Sequence, residues 1–233
     1  MPYDFSARGY LERAKANLHK DTLQYLFYAA FELRCGVESR MQEYLYAWSH
    51  IPEKQKTDWE IGKLGKAVEK HFILRDQYQE WSVVDLETGQ IGAVLYYTPV
   101  TKALRINAGK LGNYLHSPNF DGDRSVWWTE FRLLLDEMAN QLETAVTGTL
   151  LGPAMHRGST TSMNLISEVV GDFDVNKIGR VGEKLTVKID YLDALPIVLP
   201  EKAIVWRPER HTPQGGAGGK ERGITDAGRK AGS

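Results

Sequence analysis

The stretch Lys110-Leu-Gly-Asn-Tyr-Leu-His116 holds the side chains with the most chemistry to offer. Together with Asn107 it forms a series at steps of three: Asn107, Lys110, Asn113 and His116. In a helix each such step turns about 300°, so the four residues fall on one slowly drifting stripe. A lysine there can hold a phosphate, asparagine amides can donate to an oxyanion, and a histidine can move a proton as general acid or base. The pattern places His116 near a helix C-terminus, where the helix dipole favours a cationic imidazole. The same stripe also reads as a solvated helix face that ends in a capping histidine.

Further candidates lie on a long apolar segment nearer the N-terminus, punctuated by Arg34, Glu38 and Arg40. Arg34 and Glu38 stand four apart and predict an ordinary ion pair. If that segment packs in the same bundle as His116, Arg34 and Arg40 become substrate-binding candidates beside it, with Asn107. Trp127-Trp128 open the last long helix, and adjacent positions point about 100° apart, which predicts one in the core and one at a surface or interface. The single cysteine, Cys35, lies in the apolar segment and reads as a structural thiol.

Several kinds of chemistry have no motif here. The chain has no Gly-x-Gly-x-x-Gly or phosphate-loop pattern, no His-Glu-x-x-His and no Gly-x-Ser-x-Gly. Its six histidines are scattered, and one cysteine builds neither a disulfide framework nor a multi-cysteine zinc site. We therefore expect no metal and no cofactor. With 29 Lys and Arg against 30 Asp and Glu, the net charge of −1 argues against a surface that grips nucleic acid everywhere. Residues 207–233 hold six of the basic and three of the acidic residues, so residues 1–206 carry 23 against 27. Contact with RNA would then need a local cleft around Lys110 and His116, or the tail. No apolar run is long enough for a membrane span, and the first residues lack a secretory pattern, so the expected location is the cytoplasm.

The elements that must position these residues are mostly helical. Apolar positions at steps of three and four predict helices over 6–20, 22–48, 57–79, 102–116 and 125–148, with Asp21 as a cap for the second. Gly62 and Gly65 weaken the third. Between the third and fourth helices the period changes to two, and 81–86 with 91–100 predict a β-hairpin around Glu87-Thr-Gly-Gln90. Residues 152–161 read as a linker. Beyond it, 163–170 and 183–191 predict strands, 197–199 and 203–206 predict shorter ones, and the glycine-rich tail from His211 predicts disorder. The fold class is α+β, mainly α: a helical bundle over 1–150 with an inserted hairpin near 81–100, then a small β-rich segment over 162–206.

Three segments carry a resemblance: Ala7-Arg-Gly-Tyr-Leu-Glu-Arg-Ala-Lys15, Tyr28-Ala-Ala-Phe-Glu-Leu-Arg-Cys-Gly-Val-Glu-Ser-Arg-Met41, and Gly112-Asn-Tyr-Leu-His116. Over residues 5–147 the chain resembles HEPN domains. The resemblance implies a helical bundle that forms a homodimer. In many members an Arg-x(4–6)-His motif from each subunit builds a metal-independent ribonuclease site, and members serve in phage defence and toxin–antitoxin systems; others are non-catalytic. Carried onto this chain, His116 would be the general acid/base, Lys110 would steady the phosphate and Asn113 would orient one of them. Lysine stands where the family has arginine, which keeps the charge but loses the planar two-point grip on phosphate. A literal Arg-x5-His at Arg13 to His19 lies on the first helix, away from the family's site. Two readings follow: a non-catalytic interaction or dimerisation protein with a protein partner, and a ribonuclease acting on RNA with a degenerate Lys-x5-His site.

Overall fold

The computed structural model describes residues 3–20, 22–72, 76–115, 124–153, 155–157, 160–162 and 185–196. Among these the chain is α+β and mainly helical. The first helix, α1 (Ala7–Leu18), starts where Ser6 adopts extended backbone and its Oγ accepts the Gly9 N–H at 3.1 Å. The 24-residue α2 (Leu23–Tyr46) follows, then one turn of α3 (Glu53–Lys56) and α4 (Ile61–His71). Strands β1 (Tyr78–Asp85) and β2 (Ile91–Tyr97) form the hairpin. Helices α5 (Lys102–Leu115) and α6 (Arg124–Thr147) come next, then two short paired strands, β3 (Met155–Arg157) and β4 (Thr160–Ser162), and finally β5 (Leu185–Leu192).

Helix α2 runs through the middle of the bundle, packed against α1, α4, α5 and α6. Its residues Leu33, Val37, Met41, Tyr44 and Leu45 are fully buried, as are Leu104, Leu111, Phe131, Leu135 and Leu142 of α5 and α6. Burying each such side chain contributes about 1.5–3 kcal/mol, and together they fix the bundle.

The sheet has the order β2-β1-β5 and is antiparallel throughout. The turn between β1 and β2 falls where the sequence places it. Asp85 Oδ1 accepts the N–H groups of Glu87 and Thr88, both at 2.8 Å, and Gly89 takes the positive φ of 69° that the turn requires. The strand expected over 183–191 is β5, and it pairs along the whole of β1, from Tyr78↔Leu192 to Asp85↔Leu185. It thus extends the inserted hairpin rather than standing apart from it.

Three expectations change. The helix expected over 57–79 is only α4: Trp59 precedes it and is 67% exposed, and Tyr78 and Gln79 belong to β1. Local spacing continues a helix there, but the cross-strand partners Leu192 and Tyr191 pull those residues into the sheet. The linker expected over 152–161 contains β3 and the start of β4. At the start of α2 the cap position is Thr22, whose side chain makes no capping bond. Asp21, the strand expected over 163–170, the short strands at 197–199 and 203–206, and the tail from His211 lie outside the described residues. Among the described residues no helix is long and apolar enough to cross a membrane.

Candidate functional site

Helix α5 brings Asn107 and Lys110 together, one turn apart. Asn107 is buried against α6. Its Nδ2 donates to Glu137 Oε1 at 3.1 Å and to Gln141 Oε1 at 3.3 Å, and its Oδ1 accepts from Lys110 Nζ at 3.3 Å. Gln141 Nε2 also donates to Glu137, at 2.8 Å, so four side chains form one network across the α5–α6 seam. Asn113 is exposed one turn further on, and His116 lies outside the described residues.

This geometry has a chemical consequence. A lysine that steadies phosphate needs a positive surrounding, yet the Glu137 carboxylate joins the same amide that Lys110 contacts. In the partly buried seam that carboxylate offsets the field of the ammonium. Asn107 spends both ends of its amide on protein partners, which is how a buried amide holds two helices in register.

Arg34 and Arg40 part company. Arg34 is half-buried, and its Nε donates to Glu38 at 3.1 Å, the four-apart pair the sequence predicts. Burial pushes the Glu38 carboxyl upward, and the Arg34 guanidinium pulls against that shift. Arg40 is 1% exposed and faces the C-terminal end of α6. Its Nε donates to Ala145 O at 3.0 Å, Nη2 to Gly148 O at 3.0 Å and Nη1 to Glu43 Oε2 at 2.9 Å. Those carbonyls are among the acceptors a helix leaves without partners at its end, and a cation there also meets the negative end of the dipole. The Tyr44 hydroxyl donates to Thr98 O, and Thr98 Oγ1 donates to Ala145 O at 2.8 Å and accepts the Gly148 N–H at 3.1 Å. Arg40 is thus the centre of a buried polar knot that joins α2, the end of β2 and the end of α6. Its role in this geometry is structural, away from solvent.

Trp127 and Trp128 do not divide between core and surface as the sequence suggests; both are half-buried. Their rings meet edge-on at 4.5 Å, Trp128 meets Phe27 at 5.7 Å, and Tyr114 stacks on Phe131 at 4.5 Å. These five rings, Phe27, Tyr114, Trp127, Trp128 and Phe131, pack together where α2, α5 and α6 meet. Cys35 is half-buried, and burial, with help from Glu38 and Glu32, pushes its thiol up to about 11. It therefore stays protonated at neutral pH and has little nucleophilic character.

Two surface grooves flank this bundle. One, of about 540 Å³, lies between the start of α2 and α6 and is lined by Thr22, Leu23, Leu26, Trp128, Arg132 and Leu133, with Thr129. The other, of about 280 Å³, lies between α4 and α5 and gathers Lys66, Lys102 and Arg105. Sequence reading passed over these three cations. The only sign of them was Gly62 and Gly65, which look like flaws in α4. Among the described residues no group of three or more His, Cys, Asp and Glu side chains could hold a metal ion. No family model, curated protein or solved structure matches the chain.

Proposed function

We propose that the chain is a non-catalytic, HEPN-like interaction module that acts as a homodimer. The observation that carries this reading is the apolar surface left outside along α2 and α6. Leu23, Tyr28 and Phe31 of α2 and Leu133 of α6 are all exposed, Phe31 at 55% and Leu133 at 63%. Tyr28, Phe31 and Cys35 stand three and four apart, on one face of α2. A second copy meeting this strip would bury large side chains that the bundle itself does not use, and the resemblance to a dimerising family supports the same occupant. The closed Asn107–Lys110–Glu137–Gln141 network favours this reading over the ribonuclease, because its carboxylate opposes phosphate binding beside Lys110.

Sedimentation of the full chain tests it. The expected species is a dimer at micromolar concentration, with Phe31→Asp and Leu133→Asp shifting it to monomer without loss of helical signal. A monomeric wild type, or a dimer that ignores both substitutions, overturns the proposal. An RNA cleavage assay without metal separates the alternative. Cleavage that His116→Ala and Lys110→Ala abolish would establish the ribonuclease instead.

A further inference from the structure

The groove between α4 and α5 has a composition that neither reading uses. Its lining holds three cations, Lys66, Lys102 and Arg105, and one carboxylate, Glu69. Arg105 is the anchor. Its side chain is only 13% exposed, and Nη2 donates to Glu69 Oε1 at 2.7 Å. Its Nε is buried and makes no hydrogen bond. A buried guanidinium N–H without an acceptor leaves the arginine incompletely satisfied by protein. The side chains of Lys66 and Lys102 pair with no carboxylate among the described residues, although Asp76 Oδ1 accepts the Lys102 backbone N–H at 2.9 Å.

The glycines give the groove its shape. A Cβ at position 65 would stand 2.7 Å from Arg105 Nη1, so glycine there lets the guanidinium lie against α4. At Gly62 and Gly109, on opposite walls, a Cβ would meet nothing within 4 Å, so both leave open space. Ile106, half exposed, adds an apolar patch to the rim. In a body with more acidic than basic residues, this is a local concentration of positive charge around an unfilled donor.

We propose that this groove binds a small phosphate ester. Arg105 and the two lysines take the phosphate oxygens, and the organic arm lies against Ile106. An arginine beside two ammonium groups is suited to a tetrahedral anion, and the volume of about 280 Å³ admits a phosphate with a short arm.

Calorimetry on the full chain, with phenyl phosphate and inorganic diphosphate as probes, tests the proposal. The expected result is one-to-one binding of phenyl phosphate, weakened at least tenfold in Lys66→Ala/Lys102→Ala. Gly62→Leu/Gly109→Leu is the second variant. It fills the groove while removing two helix-weakening glycines, so it is expected to stay folded and to lose binding. Equal affinity for diphosphate would assign recognition to the phosphate alone, and tighter binding of phenyl phosphate would add a share from Ile106; either result supports the site. Three results overturn it: no binding of either probe at millimolar concentration, binding unchanged in both double variants, or binding only of an RNA oligonucleotide.

Discussion

Arg40 and Arg105 are both largely buried arginines on helices of one bundle, and they are finished differently. Arg40 has every side of its guanidinium engaged by carbonyls or a carboxylate. Arg105 has one carboxylate partner, an unpaired Nε and an open groove beside it. The contrast teaches that a buried cation can belong to the frame or to a site, and that the state of its donors separates the two. A frame arginine leaves nothing for a ligand to do.

The largest effect that sharpens this contrast is expected at Arg40. Arg40→Met leaves the Ala145 and Gly148 carbonyls without their donor and Glu43 without its cation, and should cost about 3–5 kcal/mol in urea unfolding. Arg40→Lys should recover little, since one ammonium cannot span the same three acceptors. Arg105→Met should cost no more than about 1 kcal/mol, because its partner Glu69 is half exposed and one unsatisfied N–H disappears with it. Comparable losses in both variants would erase the distinction.

Gly148 in the Arg40 knot and Gly62 in the wall of the Arg105 groove should respond with opposite signs. A Cβ at Gly148 would stand 2.2 Å from Thr98 Oγ1 and 2.9 Å from the Thr98 backbone nitrogen, inside the Arg40 knot. Gly148→Ala should therefore cost about 1–3 kcal/mol by chemical denaturation. Gly62→Ala meets open space in the first turn of α4 and should stabilise by up to about 1 kcal/mol. Asn107→Ala should fall between these, at about 1 kcal/mol of destabilisation, as Glu137 and Gln141 lose their shared donor.

The smallest effect concerns the Cys35 thiol. With its titration raised from the model-compound value of 9.0 to about 11, the thiolate fraction near neutral pH is about a hundredfold below that of a free thiol, and alkylation should be slowed accordingly. The folded state holds this proton more tightly than the unfolded state does. Its contribution to stability is therefore complete below pH 9 and is lost as pH rises from 9 through 11. Cys35→Ala should reduce the alkaline loss of stability measured across that window.

Sequence pattern found α2 and α6 almost to the residue, because each has an apolar stripe sustained over six turns. It overran α4, since nothing near Tyr78 and Gln79 announces partners more than 100 residues away. The Asn107–Lys110 stripe was legible as spacing, but its meaning depended on Glu137 and Gln141, supplied by another helix. Arg40 read as a substrate-binding candidate because its acceptors are backbone carbonyls, which have no letter in the sequence. Gly65 was legible only as a weakness; the approach of Arg105 shows why glycine stands there.

The pairing of β5 with β1 also sets an order of events in folding. Asp85 and Leu185 are 100 positions apart, and α5 and α6 lie between them. Closing a flexible loop of that length costs about 4 kcal/mol of chain entropy, far more than the tight turn that joins β1 to β2. The hairpin and bundle should therefore assemble first and β5 zip on last, as a slow phase in refolding that substitutions in β5 alter and substitutions in α1 do not.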